Sequence, residues 1–410
     1  IERAINALEN ALQVITKDKY PVEWSATQNN LGLMYWNRIK GDKKENIERA
    51  INALENALQV RIRYQLDWTI AETQNNLGCV YGVRIAEDRK ENIEQAINYY
   101  QKALEVYTES ESAYMWAGVN TNLGFMYAVR LKGNISKNAE LAISALKSAL
   151  KVRKKDTFPY GWAETQLNLG LAYYRLNPQE NEKKKNIERA IAAYKNALEI
   201  YTEEAVPFRW AKIQHNLGLT YSVLFLEERE KEEKEKNVQL AISHYHAALK
   251  FYTPQNDPFE CLRTARNLGD LASTQGDWET AIAAYELAVN ATEQLRNWGS
   301  TDDRRKEIFK GSFDIYANLI HAYVQVENLE KAIETADRSR ARYLVDLMYV
   351  SDLQAKGEMS EEFRQRLQEY EEAVKERNRL QELLQSQGNP SSESGNRSLD
   401  IAQLQQQNQQ

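Results

Sequence analysis

Cysteine is almost missing from this chain. Cys79 and Cys261 are the only two in 410 residues, far apart and in no paired spacing. A disulfide framework and a zinc site are both unsupported, and the usage is that of a reducing, cytoplasmic setting. Proline is scarce too, at seven residues, so little interrupts a composition rich in helix-favouring Leu, Ala, Glu, Gln, Lys and Arg. No apolar run is long enough to cross a bilayer, and no signal peptide opens the chain. No membrane partner is therefore expected. Charge of one sign is lacking as well: 53 basic and 59 acidic residues are interspersed, for a formal net charge of −6. Nucleic acid is not an expected partner, because binding it needs a basic footprint. The chain has no Walker-type loop and no G-x-G-x-x-G, and nothing in it implies a cofactor. Its first residue, Ile1, falls inside a helical pattern, as expected of a fragment of a longer protein.

What the chain has is a repeat. The string ATQNNLGLMY at 26–35 returns as AETQNNLGCVY at 71–81, then as VNTNLGFMY, AETQLNLGLAY and AKIQHNLGLTY. The glycines are Gly32, Gly78, Gly124, Gly170, Gly218 and Gly269, and a degenerate seventh copy, YANLIHAYV, puts Ile320 in the glycine's place. A second segment alternates with the first. NIERAINALENALQV at 46–60 recurs around the anchor alanines Ala96, Ala142, Ala190, Ala241, Ala281 and Ala332. Apolar steps of three and four make each segment an amphipathic helix. The Asn at the head of the second segment (Asn46, Asn92, Asn138, Asn186, Asn237) suits an N-cap. Each repeat is thus a helix pair. Small residues such as Gly32 and Ala50 let two backbones approach, and larger ones such as Tyr35 and Leu54 fill the space beside them. One pair cannot bury its own apolar face, so the pairs must stack.

This pattern, Leu-Gly-x-x-Tyr and then Ala-x-x-x-(Leu or Tyr)-x-x-Ala, resembles the tetratricopeptide repeat. The resemblance implies an all-α, right-handed superhelical solenoid over 1–345, about seven helix pairs beginning mid-repeat. The copy at Gly269 keeps the family's spacing, with Ala281 twelve residues on. In the copies at Gly32, Gly78 and Gly124 the gap is 18 residues, an enlarged inter-helix turn. The family's usual tryptophan, four residues before the glycine, is absent. One stands eight before it instead (Trp24, Trp116, Trp162, Trp210), which predicts a longer first helix with Trp at its base. Residues 227–236, EEREKEEKEK, read as a solvated extension.

Solenoids bind through a concave face lined by the first helix of each pair. A residue two before the glycine lies about 200° round the helix from it, away from the partner helix. Asparagine fills that place in every copy: Asn30, Asn76, Asn122, Asn168, Asn216, Asn267 and Asn318. An amide carries both a donor and an acceptor, and stacked helices ~8–10 Å apart would meet about every third residue of a strand rising ~3.3 Å per residue. By resemblance to peptide-clamping tetratricopeptide grooves, including kinesin-light-chain-type repeats that share the NNL string, the seven asparagines bind a peptide main chain. The alternative is that they bridge neighbouring helices inside the solenoid. Selectivity is assigned to the offsets −6, −3 and +1 on the same stripe. These are neutral or acidic in early copies and basic late, at Lys212, His215, Arg263 and Arg266. Either an acidic peptide is attracted there, or this is an ordinary charged surface, with Asp270 and Asp314 blunting the field.

No catalytic residue is expected, and the chain itself is not expected to be an enzyme. His244 and His246 are two apart and face different ways; His215 and His321 lie in different repeats; Cys79 has no histidine at its level. Three readings of function stay open: a peptide- or protein-binding sensor or scaffold arm, the regulatory region of a larger enzyme, and a structural scaffold that self-associates through the solenoid ends. The second rests on residues 337–347, DRSRARYLVDL, which, after long repeats of this style, resemble the junction of bacterial TPR–CHAT proteins, an arrangement common in cyanobacteria. There a caspase-like protease domain follows the repeats. Residues 346–387 read as a junction and a long C-terminal helix, whose acidic stretch QEYEEAVKE is a candidate occupant of the groove. Residues 388–410 form a Gln- and Ser-rich tail that reads as disordered or as a linker.

Overall fold

The computed structural model describes residues 1–86, 88–176, 180–298 and 302–340. It falls into two compact units, 1–335 and 336–410, and the second lies almost wholly outside the described residues, as do the proposed junction, long helix and tail. Among the described residues the chain is helical throughout, with no strand.

Helix α1 (Glu2–Val14) stands alone as the second helix of an incomplete repeat. Six pairs follow: α2 (Pro21–Trp36) with α3 (Lys43–Arg63), α4 (Asp67–Val83) with α5 (Arg89–Val106), α6 (Ala113–Val129) with α7 (Ile135–Val152), α8 (Pro159–Arg175) with α9 (Glu180–Leu198), α10 (Pro207–Glu227) with α11 (Lys231–Phe251), and α12 (Pro258–Thr274) with α13 (Trp278–Trp298). Helix α14 (Asp302–Gln325) opens the seventh, and the backbone is helical again over 329–340. From α2 to α12, neighbouring first helices touch one another, whereas neighbouring second helices come into no comparable contact. The first helices therefore line the inner, concave side, as the sequence implied.

The small-against-large packing is realised in all six copies that carry the glycine. A Cβ on Gly32 would meet Leu54 at 2.7 Å and on Gly124 would meet Leu146 at 2.5 Å. On Gly78, Gly170, Gly218 and Gly269 it would strike the rings of Tyr100, Tyr194, Tyr245 and Tyr285 at 2.5–2.6 Å. Each large residue stands four beyond its anchor alanine and is fully or almost fully buried, so one backbone runs directly over one side chain. The tryptophans sit near the start of their helices, each capped by a lysine ammonium: Lys17 on Trp24, Lys151 on Trp116, Lys155 on Trp162 and Lys250 on Trp210.

The expected N-caps are a correction. Helices α3, α5 and α7 start three residues before Asn46, Asn92 and Asn138, and α9 and α11 six before Asn186 and Asn237; the first three are capped by Asp42, Asp88 and Asn134, which accept from Glu45, Lys90 and Lys137 backbone N–H groups. The buried asparagines pin the inter-helix turn instead. Asn46 donates to the Lys40 carbonyl at 3.0 Å, Asn92 to Ala86 and Asn138 to Lys132, both at 2.8 Å. Two residues on, a glutamate of the same segment takes an arginine from the next repeat: Glu2 with Arg38, Glu48 with Arg84, Glu94 with Arg130, at 2.6–2.7 Å. The enlarged turn is thus a fastened one.

Candidate functional site on the concave face

Because each glycine faces its own second helix, the asparagine two residues before it faces the concave side. The seven positions are not equivalent. Asn30 is exposed, Asn76, Asn122, Asn216, Asn267 and Asn318 are half-buried, and Asn168 is only 6% exposed. Three of them reach back to the preceding first helix. Asn76 donates to Asn29 Oδ1 at 3.2 Å, Asn122 to Asn75 Oδ1 at 3.5 Å and to Cys79 Sγ at 3.6 Å, and Asn318 to Asp270 Oδ1 at 3.3 Å. At these places the amide bridges helices within the solenoid. Among the described residues, the side chains of Asn30, Asn168, Asn216 and Asn267 make no hydrogen bond. An amide as enclosed as that of Asn168 is normally spent on a partner.

In four of the six glycine copies the offset −3 does not belong to the groove, and His215 is corrected with it. Asn29, Thr121, Leu167 and His215 are all buried, because this column lies between neighbouring first helices. His215 is fully enclosed, with Nδ1 at 2.8 Å from Thr264 Oγ1 and Nε2 unpartnered. Burial, with Arg263 nearby, pushes its pKa down to about 3, so it is a neutral inter-helix contact that no peptide reaches. His244 likewise packs inside, stacked on Tyr221 with its Nδ1 at 2.6 Å from Gln214, and burial lowers it to about 4. His321 is exposed, edge-on to Trp278. The Cys79 thiol accepts from Tyr100 Oη and its pKa is raised by burial; burial pushes that of Cys261 up to about 12. Neither is a poised thiolate. Among the described residues no group of His, Cys, Asp and Glu is placed to hold a metal ion, and no helix is long and apolar enough to cross a membrane.

The other basic residues, Lys212 and Arg263 at offset −6 and Arg266 at −3, are exposed or half-buried, and the arginines are accompanied by carboxylates. Arg263 pairs with Glu260 at 2.7 Å, and Arg266 reaches Asp314 at 3.4 Å and Asp270 at 3.8 Å. Lys212 is the exception. It is half-buried, has no ion-pair partner among the described residues, and sits 5.6 Å over the ring of Phe125, two first helices away. Burial, with help from Arg209, pulls its ammonium below the ordinary lysine value. A groove in which α10 reaches the ring of α6 is narrow at this level. The reason lies one turn below. Helices α6 and α8 run closer together than any other two first helices, where Gly118 and Gly161 both face Arg153; its guanidinium lies 3.2–3.3 Å from where their Cβ atoms would be. Arg153 donates to Thr121 Oγ1 at 3.1 Å and leaves its buried Nε unpartnered. Glu164, Arg209, Glu260, Phe125 and Arg153 were not singled out from the sequence. Glu164 stands at the −6 offset and Phe125 at +1, so the repeat alignment carried their signal.

Two family models match parts of the chain. The family model for soluble NSF attachment protein (SNAP) matches residues 172–299, and that for the Sel1 repeat matches 25–52 and 71–105. No curated protein matches the chain. Among solved structures, PilW, a type IV pilus biogenesis factor, is 16% identical over 69% of this chain and 98% of its own, with a TM-score of 0.41. The C-terminal part of a TPR repeat-containing protein from Cytophaga hutchinsonii is 14% identical over 74% of this chain and 93% of its own, TM-score 0.37. The Rap conjugation gene regulator of plasmid pLS20, solved in complex with the Phr* peptide, is 15% identical over 83% of this chain and 95% of its own, TM-score 0.42. What the helix pairs and the partial family matches define is a class: an all-α helical repeat protein.

Proposed function

We propose that this chain is a protein-interaction arm that binds an extended peptide, or an unfolded segment of a partner protein, along its concave face. The observation that carries the reading is the run of unspent amides at Asn168, Asn216 and Asn267, on three consecutive first helices. Each offers a donor and an acceptor where a strand would present one of each. The clamp is thus confined to the C-terminal half, while Asn76 and Asn122 hold the scaffold. Lys212, the groove cation without a carboxylate, would add a preference for acidic side chains at the narrow level. Arg263 and Arg266 contribute less, because their charges are already answered.

The test is binding of a peptide library and of cell lysate to the intact chain and to Asn168→Ala, Asn216→Ala, Asn267→Ala combined. Each lost hydrogen bond costs about 0.5–1.5 kcal/mol, so the triple variant should bind roughly tenfold or more weakly while melting as before. Unchanged binding sinks the reading. Early melting would assign these amides to the scaffold.

A narrower reading follows from the DRSRARYLVDL run at 337–347 and its likeness to the TPR–CHAT junction. On it, the arm senses a partner on behalf of a caspase-like protease domain in a reducing, cytoplasmic compartment. It predicts a domain bearing a catalytic His and Cys encoded downstream of this sequence, and an open reading frame without one removes it.

A further inference from the structure

Arg61 and Arg153 stand at the same point of their copies, two repeats apart, and differ in what answers them. Arg61 is 4% exposed. Its Nη1 donates to the Thr69 carbonyl at 2.7 Å and to Thr73 Oγ1 at 2.6 Å, and lies 3.1 Å from the Glu72 carboxylate. Its charge is met inside the chain. Around Arg153 the same positions are empty. The places of Ala26 and Thr69 are taken by Gly118 and Gly161, which face the guanidinium with no side chain. Glu164, in the place of Glu72, is turned instead to Arg209 at 3.3 Å and accepts from the Tyr201 hydroxyl at 3.1 Å. Arg153 keeps the contact with Thr121 and a long one, 3.4 Å, to the Gly161 carbonyl. It has no ion-pair partner among the described residues, and it is half-buried, so solvent reaches it where Arg61 is sealed.

Lys212, on the next first helix, is a second unanswered cation, and Glu164 bears on both. The other carboxylate bearing on Lys212 is Glu260. Each of these carboxylates already holds an arginine, Glu164 with Arg209 and Glu260 with Arg263. Asp156, in the turn after Arg153, is exposed and pairs with neither unanswered cation. Four cations therefore meet two carboxylates, and the two charges left over are half-buried. Burial pulls Arg153, like Lys212, below its ordinary value, an effect that an anion arriving beside them would oppose.

We propose that Arg153 and Lys212, around Glu164, form a binding site for a phosphoryl dianion on the concave face. Charge decides the class. A phosphate monoester carries about −1.5 to −2 at pH 7, which meets a surplus of two, where a side-chain carboxylate brings one. Both side chains suit phosphate, arginine through its planar fork and lysine as a point charge. That the phosphoryl group arrives on a bound segment rests on the peptide reading; the site itself does not.

Titration of the full chain with inorganic phosphate tests the site, read as a rise in melting temperature at ionic strength held constant with chloride. Phosphate should stabilise the parent, and acetate should not match it. Lys212→Met keeps an apolar stem over Phe125 and removes the charge; it should weaken phosphate binding roughly tenfold. Glu164→Gln should strengthen it, a change of sign that no loss of folding mimics. Lys250→Met removes a lysine over Trp210 that Glu203 already answers, and should leave phosphate binding unchanged, as should the triple amide variant. The source of the group is read from two degenerate peptide libraries, one built on a fixed phosphoserine and one on serine. The first should bind more tightly, and Lys212→Met should abolish the difference. Phosphate that acts no better than chloride or acetate, that is indifferent to Lys212→Met, or that is weakened by Glu164→Gln overturns the site. Equal binding of the two libraries beside the expected phosphate titration overturns the peptide-borne source and leaves a small phosphate compound as the ligand. If neither library binds while phosphate titrates as expected, the peptide reading falls and the site stands.

Discussion

At the scale of single residues, the buried histidines make a pH statement. His215 and His244 have folded pKa values of about 3 and about 4, depressed by burial, against about 6.5 in the unfolded chain. Below pH 6.5 the unfolded chain takes up protons that the folded chain refuses, so folding weakens as pH falls from about 6.5 toward 4. Glu2, Glu94 and Glu228, held low first of all by hydrogen bonds from Arg38, Arg130 and Lys184, add a further loss below the usual carboxylate range. The histidine part is isolated by difference. His215→Gln should lose less stability than the parent between pH 7 and pH 5 in urea melts, and equal losses would contradict the assignment. That His215 is buried was not legible from its own helix. A helical wheel shows which side a residue takes, but the −3 column closes only because the neighbouring first helix comes within hydrogen-bonding reach, with Thr264 supplying the partner. The glycine contacts were legible, since a large residue such as Tyr194 stands four beyond the anchor alanine in each of the six copies that carry a glycine such as Gly170.

At the scale of elements, the inter-helix turn is where sequence reading and structure part. Asn92 stands at the head of the apolar period and so reads as a cap. The true start of α5 lies at Arg89, in a polar turn that hydrophobic periodicity does not register. The asparagine's work is long-range in the loop, holding the Ala86 carbonyl six residues back. Two variants separate the turn's fastenings. Asn92→Ala leaves the half-buried Ala86 carbonyl unanswered and should cost about 1 kcal/mol, read as a lower melting point and faster amide exchange in the turn. Glu48→Gln loosens the ion pair of the same turn's Arg84, at 13% and 37% exposure, and should cost about 1 kcal/mol, an effect that high salt weakens. If Asn92→Ala proves silent, the turn is held by its arginine alone. The clamp itself was half legible. Every asparagine was found, but which amides are already spent depends on what the preceding helix offers at that level. Asn29, Asn75, Cys79 and Asp270 accept; the facing positions beside Asn168 and Asn216 are apolar, Phe125 and Leu171.

At the scale of the molecule, contacts join neighbouring repeats almost throughout, Lys212 over Phe125 being an exception, so stability is close to a chain of local terms. A break in the middle should therefore divide the solenoid rather than unfold it. Gly124→Val would drive a branched side chain into Leu146 and the Ala142 carbonyl, where even a Cβ finds 2.5 Å and 3.2 Å. The expected outcome is two calorimetric transitions in place of one, with exchange protection lost first across α6 and α7 and kept in α10–α13. A single, uniformly lowered transition would mean that the repeats melt as one body.

The fastened turns have one more consequence. Arg38, Arg84 and Arg130 each grip a glutamate 36 residues back, and Asn46, Asn92 and Asn138 each hold a carbonyl six residues back, in copies that recur every 46 residues. A join made at the same point of two such copies puts every donor back in front of an equivalent acceptor. Excising 47–92 would set Ile93 directly after Asn46 with Arg130 still facing Glu94 and Gly32 facing Tyr100, a glycine-over-tyrosine pairing the chain already uses at Gly78. Length in this part of the molecule is thus a quantity that a gene can change by whole units, through recombination between its own repeats, without first having to invent a new contact.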